Sequence, residues 1–260
     1  MPSFRSAWRT DTGARPYQED SVGLHPGPSP IDAGISSAGR DCALVAVLAD
    51  GMGGHAGGAT ASRAVCVEFL KAFANGDATV AERLGASLLA ANDAIARAVR
   101  LDPTKSGMGS TLIGAAFGPA GLEWVSVGDS PLYLLRRGEI ALLNEDHSLA
   151  PALDLKAAMG EITAEQARSD PRRHMLRSAV TGDELDLVDL AKRPLALEAG
   201  DIVLLASDGI HTLEESEIAR VAFAYASEGP VAVADALMRA VVAARSPFQD
   251  NISVIVVACD

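Results

Sequence analysis

The stretch LVAVLADGMGGHAGGATAS, residues 44–62, sends an unbroken apolar run straight into an aspartate and then into a loop built almost wholly of glycine. A run without polar alternation does not suit a half-solvated strand, so it reads as a buried one. Short, turn-bounded apolar segments at 42–49, 110–117, 122–127, 131–137, 139–143, 201–207 and 251–258 form a β-rich core. Two long helical patterns interrupt them. Ala61, Val65, Phe69 and Phe73 share one face, and Leu84, Leu88, Ala91, Ile95 and Val99 share another, which predicts an antiparallel helix pair. A third helix, striped by Val233, Leu237, Ala240, Val241 and Ala244, precedes the last strand. Hairpin-like strand spacing argues against an alternating parallel fold and for an α+β layered sandwich, antiparallel sheets covered by helices. No linker, repeat or low-complexity tract divides the 260 residues, so one domain spanning 1–260 is expected.

Four carboxylates sit at the ends of apolar strands. Asp50 ends the first run, Asp129 follows LEWVSVG, Asp208 follows DIVLLAS, and Asp250 precedes ISVIVV. Asp-Gly, Asp-Ser and Asp-Asn are ordinary turn formers, which accounts for any one of them. Four together suggest that strand ends converge, where unpaired acids in a poorly solvated cleft would repel strongly. A hard divalent cation removes that cost. Oxygen ligands without nearby His or Cys favour magnesium or manganese over zinc, and Gly51 lets its own carbonyl approach the metal. Upstream, GARPYQEDSVGL adds Glu19 and Asp20, and its Arg15 carries a guanidinium fork suited to a phosphate monoester, although alone the stretch reads as a solvated loop.

The net charge of −12 argues against a nucleic-acid surface. Cys42, Cys66 and Cys259 lack metal-ligand spacing and read as buried reduced thiols. No apolar run reaches the length of a membrane span, and MPSFRSAWRT is charged where a signal peptide would be apolar, so no membrane association and a cytoplasmic location are expected. Residues 146–180 are polar and irregular, with a Thr163 to Gln166 capping box, and read as a flap over the site.

ARPYQEDS, VLADGMGGHAGGATAS, GSTLIGAAF, VGDSPLYLLRRGEI, LNEDHS, LLASDGI and DNISVIVV together resemble, in order and spacing, the metal-dependent serine/threonine protein phosphatases of type 2C, particularly the bacterial single-domain members. The resemblance spans nearly the whole chain. It implies a four-layer α-β-β-α sandwich, two antiparallel sheets flanked by helical hairpins, with a binuclear Mn2+ or Mg2+ centre at one end. By that likeness Asp50 bridges both metals with the Gly51 carbonyl on one, Asp208 and Asp250 hold the other, and Glu19 and Asp20 hold a metal directly or through waters. Arg15 clamps the phosphate, and Asp129, with Asp208, holds a third ion in bacterial relatives. The implied reaction is hydrolysis of phosphoserine and phosphothreonine on proteins by metal-activated water, opposing a bacterial serine/threonine kinase. Phosphorylated proteins would be the partners, and no signal bears on oligomeric state. The alternatives are a catalytically weak relative that binds phosphoproteins, and a phosphatase for small metabolites.

Departures from the pattern are local. Gln18 stands where the family commonly has Asn, and Pro131 where it has Arg. Met52 stands where eukaryotic relatives place an acid-donating His, leaving His55 as the nearest substitute, while His147 fits a family motif and reads as orienting the flap base. Gly53, Gly54, Gly57 and Gly58 read either as keeping the rim open or as allowing a close helix approach.

Overall fold

The computed structural model describes residues 3–39, 41–53 and 56–260. Strands β1 (Phe4–Asp11), β2 (Asp20–His25), β3 (Leu44–Met52), β4 (Gly109–Ser110), β5 (Leu112–Gly118), β6 (Gly121–Val127), β7 (Leu132–Arg136), β8 (Glu139–Leu142), β9 (Asp189–Leu190), β10 (Ile202–Ala206) and β11 (Ile252–Cys259) form two antiparallel sheets. One has the order β1-β11-β10-β7-β8 and the other β2-β3-β5-β6-β9, with β4 paired to the end of β3. Helices α1 (Ala56–Asn75) and α2 (Val80–Leu101) cover the second sheet, and α5 (Glu215–Tyr225) and α6 (Pro230–Ala244) cover the first. Two short helices, α3 (Ala150–Ala158) and α4 (Ala164–Ser169), lie in the 146–180 segment.

The layering explains the unbroken apolar run. In β3, Val45, Val47 and Ala49 pack under the α1–α2 pair, while Leu44, Ala46 and Leu48 pack between the sheets. The strand is buried on both faces, so alternation has nothing to report. In β10, Ile202, Leu204 and Ala206 face the second helix pair, and Val203 and Leu205 face the other sheet. Four layers follow, α-β-β-α.

The strands expected from the apolar runs are present with ends shifted by no more than three residues, the 110–117 run is divided between β4 and β5, and β1, β2, β9, α3 and α5 are additions. The edge strand β1 carries Arg5 and Arg9, which pair with Asp260 and Asp235, so it shows no apolar run. In β2, Gly23 breaks the hydrophobic pattern because a Cβ there would lie 2.8 Å from Leu70 Cδ1. α3 buries only Ala150 and Leu153, too few for a visible stripe. The capping box at Thr163 and Gln166 opens α4, and Cys42, Cys66 and Cys259 are buried free thiols. Among the described residues, no helix is long and apolar enough to cross a membrane.

Candidate functional site

Antiparallel pairing brings the acids to one edge of the sandwich. Asp20 begins β2 and pairs across the ladder with Asp50 near the end of β3. Asp208 follows β10 and opens a tight turn over Asp208–Thr212, Asp250 precedes β11, and Asp129 lies in the turn after β6. Since β10 and β11 belong to the opposite sheet, the cluster spans the seam between the two layers.

Polar braces from distant segments hold these positions. Asp50 N donates to Thr111 Oγ1 at 3.0 Å, and Thr111 N and Ser110 Oγ both donate to Asp50 O at 2.8 Å. Ser207 Oγ donates to Asp20 Oδ2 at 2.8 Å, and Glu19 N donates to Asn251 Oδ1 at 2.7 Å. Gln18 reaches from the other side: its Oε1 accepts from Asp20 N at 2.9 Å, and its Nε2 donates to Thr10 Oγ1 and Asp11 O. The longer arm in place of Asn is thereby anchored to the end of β1. Sequence reasoning did not assign bracing to Thr111, Ser207 or Asn251. Ser207 and Asn251 adjoin Asp208 and Asp250 in the chain, but Thr111 carries no local signal.

Burial dominates the electrostatics. It pushes the Asp20 carboxyl up to about 7, with Asp208 and Asp250 adding to the rise while hydrogen bonds from Ser207 and Ser253 oppose it. Asp129 is likewise pushed up to about 7 by burial and by Asp208. Asp50 is raised well above the carboxylate range by burial, then by Asp20, Asp208, Asp129 and Asp250, and burial also raises Asp208. Such a group resists full ionisation until positive charge enters it.

Three buried carboxylate oxygens here, Glu19 Oε1, Asp20 Oδ1 and Asp208 Oδ1, have no hydrogen-bond partner. Buried acceptors are ordinarily satisfied, and three orphans in one acidic cluster suit cation ligands. The glycines agree. A Cβ on Gly58 would lie 2.4 Å from Glu19 Oε1 and 2.8 Å from Gly51 O, so the first turn of α1 approaches the acids only because position 58 has no side chain. Gly53 needs its φ of +126°, whereas a Cβ on Gly57 would make an ordinary contact with Met108. Close approach therefore accounts for Gly58, and backbone conformation for Gly53. The cluster is gathered but open: among the described residues, no three His, Cys, Asp or Glu side chains stand as a closed metal shell. An oxygen-only set of this kind fits magnesium or manganese.

Arg15 lies at the rim, 55% exposed, with Nη2 donating to Asp250 Oδ2 at 2.5 Å. Gly54 and His55 lie outside the described residues. Buried His147 accepts from Gly128 N at Nδ1, and its own backbone joins the Asp129 turn to Arg177 N. Beside the acids a cleft of about 600 Å³ is lined by Asp50, Asp129 and Asp208 on one side and by residues of the 174–186 segment on the other. The 146–180 segment thus contributes a wall of the cleft, and its His174 and Arg177 were not singled out from sequence.

A family model described as protein phosphatase 2C matches residues 30–240. The serine/threonine protein phosphatase PstP of Mycobacterium tuberculosis is 39% identical over 173 residues, 65% of this chain and 32% of that protein, so the chain aligns with about a third of that relative's length. The serine/threonine phosphatase stp of Listeria monocytogenes is 28% identical over 225 residues, 84% of this chain and 82% of its own. Among solved structures, the M. tuberculosis PstP/Ppp phosphatase superimposes with a TM-score of 0.77 at 31% identity, covering 98% of both chains. A PstP catalytic domain in complex with two manganese ions gives 0.76 at 29% identity, covering 100% of this chain and 99% of that one.

Proposed function

The chain belongs to the protein phosphatase 2C family, and from that premise we propose that it removes phosphate from serine and threonine side chains of proteins in a metal-dependent hydrolysis. The observation that carries this reading is the set of buried, unpartnered oxygens on Glu19, Asp20 and Asp208 beside Asp50. A binding module that had lost catalysis would have no need to keep that cost.

Asp50 with the Gly51 carbonyl, Asp208 with Asp250, and Glu19 with Asp20 would hold the two metal ions in this reading. Asp129 with Asp208 would hold a third. Manganese or magnesium, when bound, supplies neutralisation of the phosphate dianion and an activated water. The protein's own groups do the rest. Asp20 and Asp50 face one another across one ladder, Thr111 and Gln18 hold their backbone N–H groups, and Ser207 donates to the Asp20 carboxylate. Arg15 presents the free N–H groups of its fork to phosphate oxygens from the rim. The turn at Gly128 and Asp129, tied to His147, forms part of the cleft wall beside the acids.

A cytoplasmic signalling role opposing a serine/threonine kinase accords with this assignment, as does a single catalytic domain over 1–260 with 146–180 as its flap. Hydrolysis of p-nitrophenyl phosphate and a phosphothreonine peptide should vanish in excess chelator and return with manganese or magnesium. Undiminished turnover in the chelator would refute the reading.

A further inference from the structure

The lining of the cleft beside the acids is predominantly acidic, with Arg177 its one Lys or Arg. At the inner end Asp50 and Asp208 line it, with His174 part of the same lining. At the outer end it is lined by Asp183, Glu184 and Asp186, all exposed, none of whose carboxylates joins an ion pair or side-chain hydrogen bond among the described residues. The loop carrying them is held firmly. Asn92, buried on α2, accepts from Gly182 N at 2.9 Å through Oδ1 and donates to Asp183 O at 2.8 Å through Nδ2. Gly182, at φ +89°, packs so tightly on Ala96 that a Cβ would lie 2.5 Å from its backbone nitrogen. On the far side Ser178 Oγ donates to Leu187 O and accepts from Leu187 N.

Three unpaired carboxylates on a pinned loop would carry little meaning alone. Here they share a cavity with Asp50 and Asp208, and the buried Oδ1 of Asp208 has no hydrogen-bond partner. A phosphorylated side chain reaching that inner end must lay its neighbouring residues along the outer wall. Acidic neighbours would meet like charge there, and lysine or arginine would find partners whose pairing requires no rearrangement of the loop.

We infer that the enzyme selects phosphoproteins with basic side chains flanking the phosphorylated residue, and that Asp183, Glu184 and Asp186 determine this specificity, with Asn92 as the residue that positions them. The inference rests on the phosphatase reading above.

The test uses phosphothreonine peptides that differ only in flanking residues, arginine, glutamine or glutamate, turned over by the manganese-loaded protein. The expected kcat/KM is about tenfold higher for arginine than for glutamine flanks, as two or three partly solvated pairs would give, and the difference lies in KM. It should shrink at about 0.5 M salt, where the screening length falls well below its physiological value. In D183N/E184Q/D186N the arginine-to-glutamine ratio should collapse to about one, since the pairs are gone. In Asn92→Ala, which keeps all three charges, the ratio should narrow through KM. Equal turnover of the three peptides by the native protein, or an undiminished ratio in the triple variant, overturns the inference. Those outcomes accompany intact manganese-dependent hydrolysis of p-nitrophenyl phosphate, whereas its absence would bring down the phosphatase reading and this inference with it.

Discussion

Asp20 stands directly opposite Asp50 on the β2–β3 ladder, so two carboxylates face one another where a sheet would ordinarily place an attractive or neutral pair. Like charges in that register are destabilising, and burial compounds the effect by raising both carboxyls. The arrangement sacrifices stability of the metal-free chain for a place where a cation binds.

Asp50→Asn and Arg15→Ala should therefore fail differently. The first removes the proposed bridging charge, and turnover should fall by about three orders of magnitude, the several kcal/mol that metal charge stabilisation supplies. Its metal-free melting temperature should rise while the increment gained on adding manganese shrinks. Arg15→Ala leaves the acids in place and should lose less, partly in KM. Near-normal turnover in Asp50→Asn would remove it from the bridge.

Gly58→Ala should cost about 1–3 kcal/mol, because its methyl must displace Glu19 or the Gly51 carbonyl from the first turn of α1. Calorimetric titration should show weakened manganese binding as well. A variant with native stability and native affinity would mean that the turn yields freely.

Asp129→Ala should leave the fold and two tighter metal sites intact while lowering phosphopeptide turnover more than turnover of p-nitrophenyl phosphate, whose leaving group needs little protonation. Kinetics on both substrates beside metal stoichiometry decide the matter. Unchanged stoichiometry and unchanged peptide turnover would reduce Asp129 to a turn residue before Pro131.

Arg83→Ala should act on stability alone. Arg83 is 4% exposed, stacks 3.9 Å from the Phe73 ring centroid and donates to Phe73 O and Ala38 O, tying the 33–39 loop to the α1–α2 pair far from the acids. Its loss leaves two buried carbonyls short of donors and a cavity beside the ring, about 2–4 kcal/mol in all. Urea unfolding measures the loss, and kcat/KM in the absence of denaturant should stay within about twofold of the native value if the defect remains local.

Periodicity and burial are local properties, and they were legible. The apolar runs of β3, β5, β10 and β11, the stripes of α1, α2 and α6, and the aspartates punctuating the strands could be read from residues a few positions apart, because a doubly buried strand or a helical stripe writes itself into neighbouring side chains. The ordered motifs also pointed to the family. β1 and β2 escaped because one is a charged edge and the other is interrupted by a glycine packed against Leu70. What only the tertiary structure decided is which acids meet and what surrounds them. The Asp20–Asp50 register, the hydrogen bond from Ser207 to Asp20, the hold of Asn251 on Glu19 and the clamp of Asn92 on the 182–183 backbone all join residues far apart in the chain. Strand order and register arise from packing two sheets and four covering helices at once, a cooperative outcome that no local window of side chains encodes.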